Sequence, residues 1–173
     1  MIKIILLLLA SLPLLGQNEW HSFTNETPVF HINFPGEYQV KEKLIETEVG
    51  ETLVTTIYSV SSVESSDNLL YLVNFFKLSG SVFNDSLTRC EYLELMVDGI
   101  REETGGKSIY QSECSNENAP SIVYRLENEA KGTVAKGKII YRNEMIYSIQ
   151  VFTEKKYFLN RNIDRFIDSL YLR

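Results

Sequence analysis

The chain has 173 residues, 44% of them hydrophobic, and a formal net charge of −6. That apolar share excludes a disordered chain. An acidic chain without a basic stripe repels phosphate backbones, so nucleic acid is excluded as a partner class.

The chain opens "MIKIILLLLASLPLLGQ". One basic residue, Lys3, precedes an apolar run from Ile4 to Leu15, and Gly16 and Gln17 follow. This order predicts a secretory signal peptide over residues 1–17, cleaved near Gly16–Asn18. The run is shorter than the roughly 20 residues a membrane-spanning helix needs. No cysteine stands at the junction to take a lipid anchor. The expected product is a mature chain, residues 18–173, without a transmembrane helix, periplasmic or secreted. Roughly 155 residues suffice for one domain with a real core.

Beyond the leader, period-two alternation dominates, which is the strand signature. Trp20–Thr24 reads as a first strand. In "VFHINFPGEY", Phe30, Ile32 and Phe34 share one face of a second. That strand must end at Pro35, which has no N–H to donate, and Gly36, which accepts unusual backbone angles. Strands near Glu42–Glu48 and Thr52–Ser61 flank Val49-Gly50-Glu51 as a hairpin. "NLLYLVNFFKLS", residues 68–79, is apolar at nearly every position. It predicts a strand buried on both faces, in a sheet covered on each side.

A helix is expected next, capped by Asp85 or Ser86 and stopped by Gly105, with Leu93, Met96, Val97 and Ile100 in one stripe. Strands resume at Lys107–Cys114, Ser121–Asn128 and Ala135–Tyr141, the last turning through Arg142-Asn143-Glu144 into Met145–Thr153. The closing segment places Leu159, Ile163, Phe166, Ile167 and Leu170 on one helical face. Many strands, one helix, more strands and one helix, with hairpin-length links, predict an α+β fold. Its sheet is mainly antiparallel, and the two helices are expected to make an α/β/α sandwich, the alternative being both helices on one face.

The run of elements resembles the PsbP-like fold family, which includes uncharacterised bacterial exported proteins. The resemblance rests on "FHINFPGEY", "LIETEVGETLVTTIYSV", "LLYLVNFF" with its helix, "GKIIYRNEMIYSIQV" and "IDRFIDSLYL". It implies a binding or accessory module without enzymatic activity, and it carries over no binding residue. Fold does not fix function.

Candidate chemistry is sparse. His21 and His31 are the two imidazoles, and each sits on a short strand among large apolar residues. A metal or catalytic site needs several converging groups, so both are expected to be ordinary strand residues. No G-x-S-x-G elbow or phosphate loop occurs, and Gly105-Gly106 ends a helix instead of opening one. Glu102-Glu103 and Glu127–Glu129 read as solvated acids, and Ser115–Asn118 is too sparse for a calcium loop. Asn25-Glu26-Thr27 and Asn84-Asp85-Ser86 match the glycosylation pattern but serve as turn and cap residues. Of the ten tyrosines, Tyr58, Tyr71, Tyr110, Tyr124, Tyr141 and Tyr147 fall in strands, where aromatics are favoured. No catalytic residue, cofactor or metal site is therefore expected. The expected role is to present a surface to a protein or envelope partner. The alternative is a small-ligand or metal-ion carrier in the periplasm.

The two cysteines, Cys90 and Cys114, invite a disulfide in an exported chain. Helix from Cys90 to Glu103 rises about 20 Å, and strand from Lys107 to Cys114 covers about 23 Å. If the strand runs back along the helix, the sulfurs meet. Without a C-x-x-C spacing the role would be a staple, not redox chemistry.

Overall fold

The structure, a computed structural model, describes residues 19–47, 50–60, 68–78, 82–83, 87–115 and 119–173. The signal-peptide expectation, the residues Asp85 and Ser86, and most of Ser115–Asn118 lie outside them.

Alternation builds the first layer. β1 (Trp20–Glu26) and β2 (Val29–Pro35) pair antiparallel. Phe30, Ile32 and Phe34 are buried on one side of β2. The strand ends where expected, and Gly36 takes φ +85° just beyond it. This hairpin belongs to a separate three-stranded sheet of order β1-β2-β10, where β10 is Tyr171–Leu172. The separate sheet and β10 were not expected, because two residues are too few to show a period.

The main sheet has seven antiparallel strands, in the order β3-β4-β5-β9-β8-β7-β6. They are β3 (Gln39–Thr47), β4 (Gly50–Val60), β5 (Asn68–Lys77), β6 (Lys107–Gln111), β7 (Ser121–Asn128), β8 (Thr133–Arg142) and β9 (Met145–Glu154). Helix α1 (Arg89–Thr104) covers one face and α2 (Arg161–Asp168) the other. The small sheet lies beside α2 on that second face, where Phe34 and Tyr71 each meet Phe166 with ring centres 5.1 Å apart. On the first face Leu93 and Val97 of α1 pack with Ile122, Tyr124, Leu126 and Ile139. The fold is thus α+β, mainly antiparallel, and an α/β/α sandwich. Full burial of each large side chain contributes about 2–3 kcal/mol.

Several local expectations need correction. β5 is not buried on both faces: Tyr71, Val73 and Phe75 are buried, while Leu72, Asn74 and Phe76 are half-buried. The doubly covered strand is β9, which is central in the sheet and buried at six consecutive positions, Ile146 to Val151. The reason is placement, since α1 sits over β7 and β8 and leaves β5 less covered. The cap of α1 is Thr88, not Asp85 or Ser86. Its hydroxyl accepts from the Glu91 N–H at 3.2 Å and Glu91 reaches back to the Thr88 N–H at 2.7 Å, a reciprocal capping box. The Thr88 N–H, and after it the Thr88 hydroxyl, hold the Glu91 carboxyl below its usual range. Gly105 closes the helix with φ +63°, as expected.

Leu159 does not join the apolar face of α2. It lies before the helix and is 85% exposed. Pairing of β3 with β4 runs through Thr47↔Gly50, so Gly50 and Glu51 belong to the strand and not to the turn. β6 stops at Gln111, short of Cys114.

A buried amide sets the position of α2. Asn68 is fully buried and donates to the Tyr71 hydroxyl at 2.6 Å and to Asn160 Oδ1 at 3.0 Å. Asn160 returns a bond to Asn68 Oδ1 at 2.9 Å, and its own Oδ1 accepts from the N–H groups of Asn162 and Ile163. Asn68→Ala leaves buried polar atoms without these partners and should cost about 2 kcal/mol. Urea unfolding checks this: the midpoint should fall with the slope unchanged.

Candidate functional site

The two histidines do not come together. His21 pairs across from Phe34 and His31 across from Thr24, an offset of three residues that places them on opposite faces of the small sheet. His31 is exposed and stacks on Tyr171 at 4.9 Å. Among the described residues, no three His, Cys, Asp or Glu side chains converge as a metal site would require. Glu127 corrects the expectation of a solvated acid. It is 6% exposed and ion-paired with Arg125 and Lys155. A buried carboxylate needs such partners. The Glu127 hydrogen bond in turn raises the pKa of Lys155.

All six strand tyrosines lie in strands, β4 to β9. Tyr71, Tyr124, Tyr141 and Tyr147 are buried. Tyr110, on the edge strand β6, is exposed. Burial pushes the Tyr124 hydroxyl well above its ordinary pKa, with the Ser148 hydroxyl acting the other way.

Cys90 and Cys114 do come together, with sulfurs 2.00 Å apart and Cα atoms 5.7 Å apart. The pair ties the first turn of α1 to the segment after β6. Cys114 packs against the α1 core.

The feature with the shape of a binding site is an open cleft of about 460 Å³. Its floor holds Leu53, Thr55 and Phe75 of the β4-β5 face, at the margin of the small sheet, whose Phe30 packs on Phe75 with ring centres 4.9 Å apart. One wall is the β1–β2 turn, Asn25, Thr27 and Pro28, in which the Thr27–Pro28 bond is cis. The other is the β8–β9 turn, where Asn143 and Glu144 both adopt positive φ. Lys77 reaches Glu144 across this wall at 3.3 Å.

Next to the cleft, cross-strand pairs form three rows on the same face: Glu42↔Thr55, Leu44↔Leu53 and Glu46↔Glu51. Leu44 is 55% exposed and Leu53 50%. An exposed apolar pair at the mouth of a cleft is a surface that water does not favour. The sequence held one signal of it: Glu42, Leu44 and Glu46 alternate and so must share a face. The rest of the cleft comes from four distant segments and has no local signature.

Comparison with known proteins supports the same frame. No protein-family model matches the chain, and no curated protein matches it. Among solved structures the fold is that of a PsbP-like domain, an α/β/α sandwich on a mainly antiparallel sheet. One similar structure is cyanobacterial PsbP (CyanoP) from Synechocystis sp. PCC 6803, with a TM-score of 0.57 and 9% identity. The match covers 95% of this chain and 99% of that one. A second match, the protein of unknown function PA94 from Pseudomonas aeruginosa, has a TM-score of 0.39 and 8% identity over 80% of this chain and 85% of that one, which is too loose to argue from.

Proposed function

We propose that this chain is an exported, non-catalytic accessory domain that presents a surface to a protein or envelope partner. The observation that carries the reading is the cleft with its exposed Leu44–Leu53 pair. Apolar surface of this kind, rimmed by charge, is what a partner interface leaves open. The leader pattern supports export. Among the described residues no helix is long and apolar enough to cross a membrane. The likeness of the fold to a PsbP domain supports the non-catalytic part of the reading.

Photo-crosslinking in cells tests the reading. A crosslinker at Leu53 should give a discrete adduct, and one at Leu95, 58% exposed on α1, should not. Leu44→Asp should abolish the Leu53 adduct while shifting stability by no more than about 0.5 kcal/mol, as exposed substitutions do. Equal adducts from both positions, or none from Leu53, would refute it.

One observation favours a second reading, a small-ligand carrier. The cleft volume falls within the roughly 300–1,000 Å³ range of ligand pockets. A stoichiometric small molecule released on denaturing the purified protein, and absent from Leu53→Asp, would favour that reading over the first.

A further inference from the structure

The three rows beside the cleft specify a partner chemistry. The Leu44–Leu53 row lies between a row holding Glu42 and a row made of Glu46 opposite Glu51. Like charges directly opposite each other destabilise a strand pair, so the hairpin tip carries a repulsion that a cation would relieve. None of Glu42, Glu46 and Glu51 is ion-paired among the described residues. The nearby cation of the cleft, Lys77, is engaged with Glu144. Lys41 and Lys43 alternate to the opposite face of β3, where Lys41 sits over the Tyr58 ring at 4.9 Å. The cleft face is therefore acidic around an apolar stripe. β3 is also one of the two edge strands of the main sheet. Its outer backbone can accept an added strand, a common mode of peptide capture.

We propose that the cleft docks an extended segment of a partner protein in which one apolar side chain stands between two basic ones, in the pattern basic-x-apolar-x-basic. Alternate residues of an extended chain lie about 7 Å apart on one face, which is also the spacing of alternate rows on the hairpin. The apolar side chain covers Leu44 and Leu53, and the basic ones meet Glu42 on one side and Glu46 with Glu51 on the other. Asn25, Thr27 and Thr55 supply hydrogen-bonding groups along the wall and floor. This inference rests on the accessory-surface reading and names its partner's chemistry.

The test is a titration of the isotope-labelled mature chain with synthetic peptides, followed by amide NMR signals. A peptide of repeated Lys-Ser-Leu-Ser-Lys units should move the signals of Leu44, Leu53 and Thr55 saturably. Binding should weaken about tenfold or more with a Glu-Ser-Leu-Ser-Glu peptide, a Lys-Ser-Ser-Ser-Lys peptide, or the Glu42→Lys/Glu46→Lys variant. Leu44→Ser, a milder change, should weaken it too and guards against misfolding of the charge variant. Equal binding of the acidic peptide, unchanged binding by both variants, or no saturable shift would overturn the proposal. An adduct formed at Leu53 with an acidic or uncharged partner segment would also overturn it, while the accessory-surface reading would stand.

Discussion

Gly137→Ala should destabilise the domain by about 3 kcal/mol or more, a large effect for one methyl group. Gly137 lies in β8, directly opposite Tyr124 of β7 and Gln150 of β9. A Cβ there would stand 2.5 Å from the Tyr124 hydroxyl oxygen and 2.6 Å from its Cζ. It would also stand 2.7 Å from the Ile149 carbonyl oxygen. Tyr124 is fully buried, so its ring has no open space to move into, and the carbonyl belongs to the central strand. The glycine is required for room and not for backbone angle. Urea unfolding of Gly137→Ala, Tyr124→Leu and the double variant checks this. The double variant should be more stable than the sum of the single effects predicts, because the ring clash is gone. Rescue should stay partial, because the Ile149 carbonyl remains. A loss below about 1 kcal/mol for Gly137→Ala would refute the packing argument.

Reduction of the Cys90–Cys114 pair should lower stability by about 3 kcal/mol. The cysteines are 24 residues apart in sequence, and the loop they close limits the unfolded chain. Cys90→Ser/Cys114→Ser should match the reduced protein, with a steeper urea slope because the unfolded state expands. The intact mass should rise by two hydrogen atoms on reduction. No mass change would show that the thiols are free, and unchanged unfolding would show that the link constrains nothing.

The sequence disclosed most of what depends on local pattern. Phe30, Ile32 and Phe34 marked a core face, Gly105 a helix stop, and Ile163, Phe166 and Ile167 the buried side of α2. Thr88 to Glu91 also carried a readable T-x-x-E cap, overshadowed by Asp85 and Ser86 just upstream. What escaped depends on assembly. Apolar content in Asn68–Lys77 and in Met145–Glu154 is similar, and the difference in their coverage comes from where α1 lands on the sheet. Glu127 looks like any surface acid until strand β7 and the turn after β9 bring Arg125 and Lys155 beside it. The cleft escaped for the same reason, since its walls are two turns far apart in the chain.

The small sheet has a consequence for the order of folding. The Asn33 N–H bonds to the Ser169 hydroxyl across 136 positions, and β10 pairs with β2 at His31 and Phe30. The N-terminal hairpin therefore completes its sheet and its packing on α2 only when residues near 170 have arrived. Contacts of such long range slow folding. A chain that enters its compartment N-terminus first would close this small sheet only once Tyr171 and Leu172 had followed.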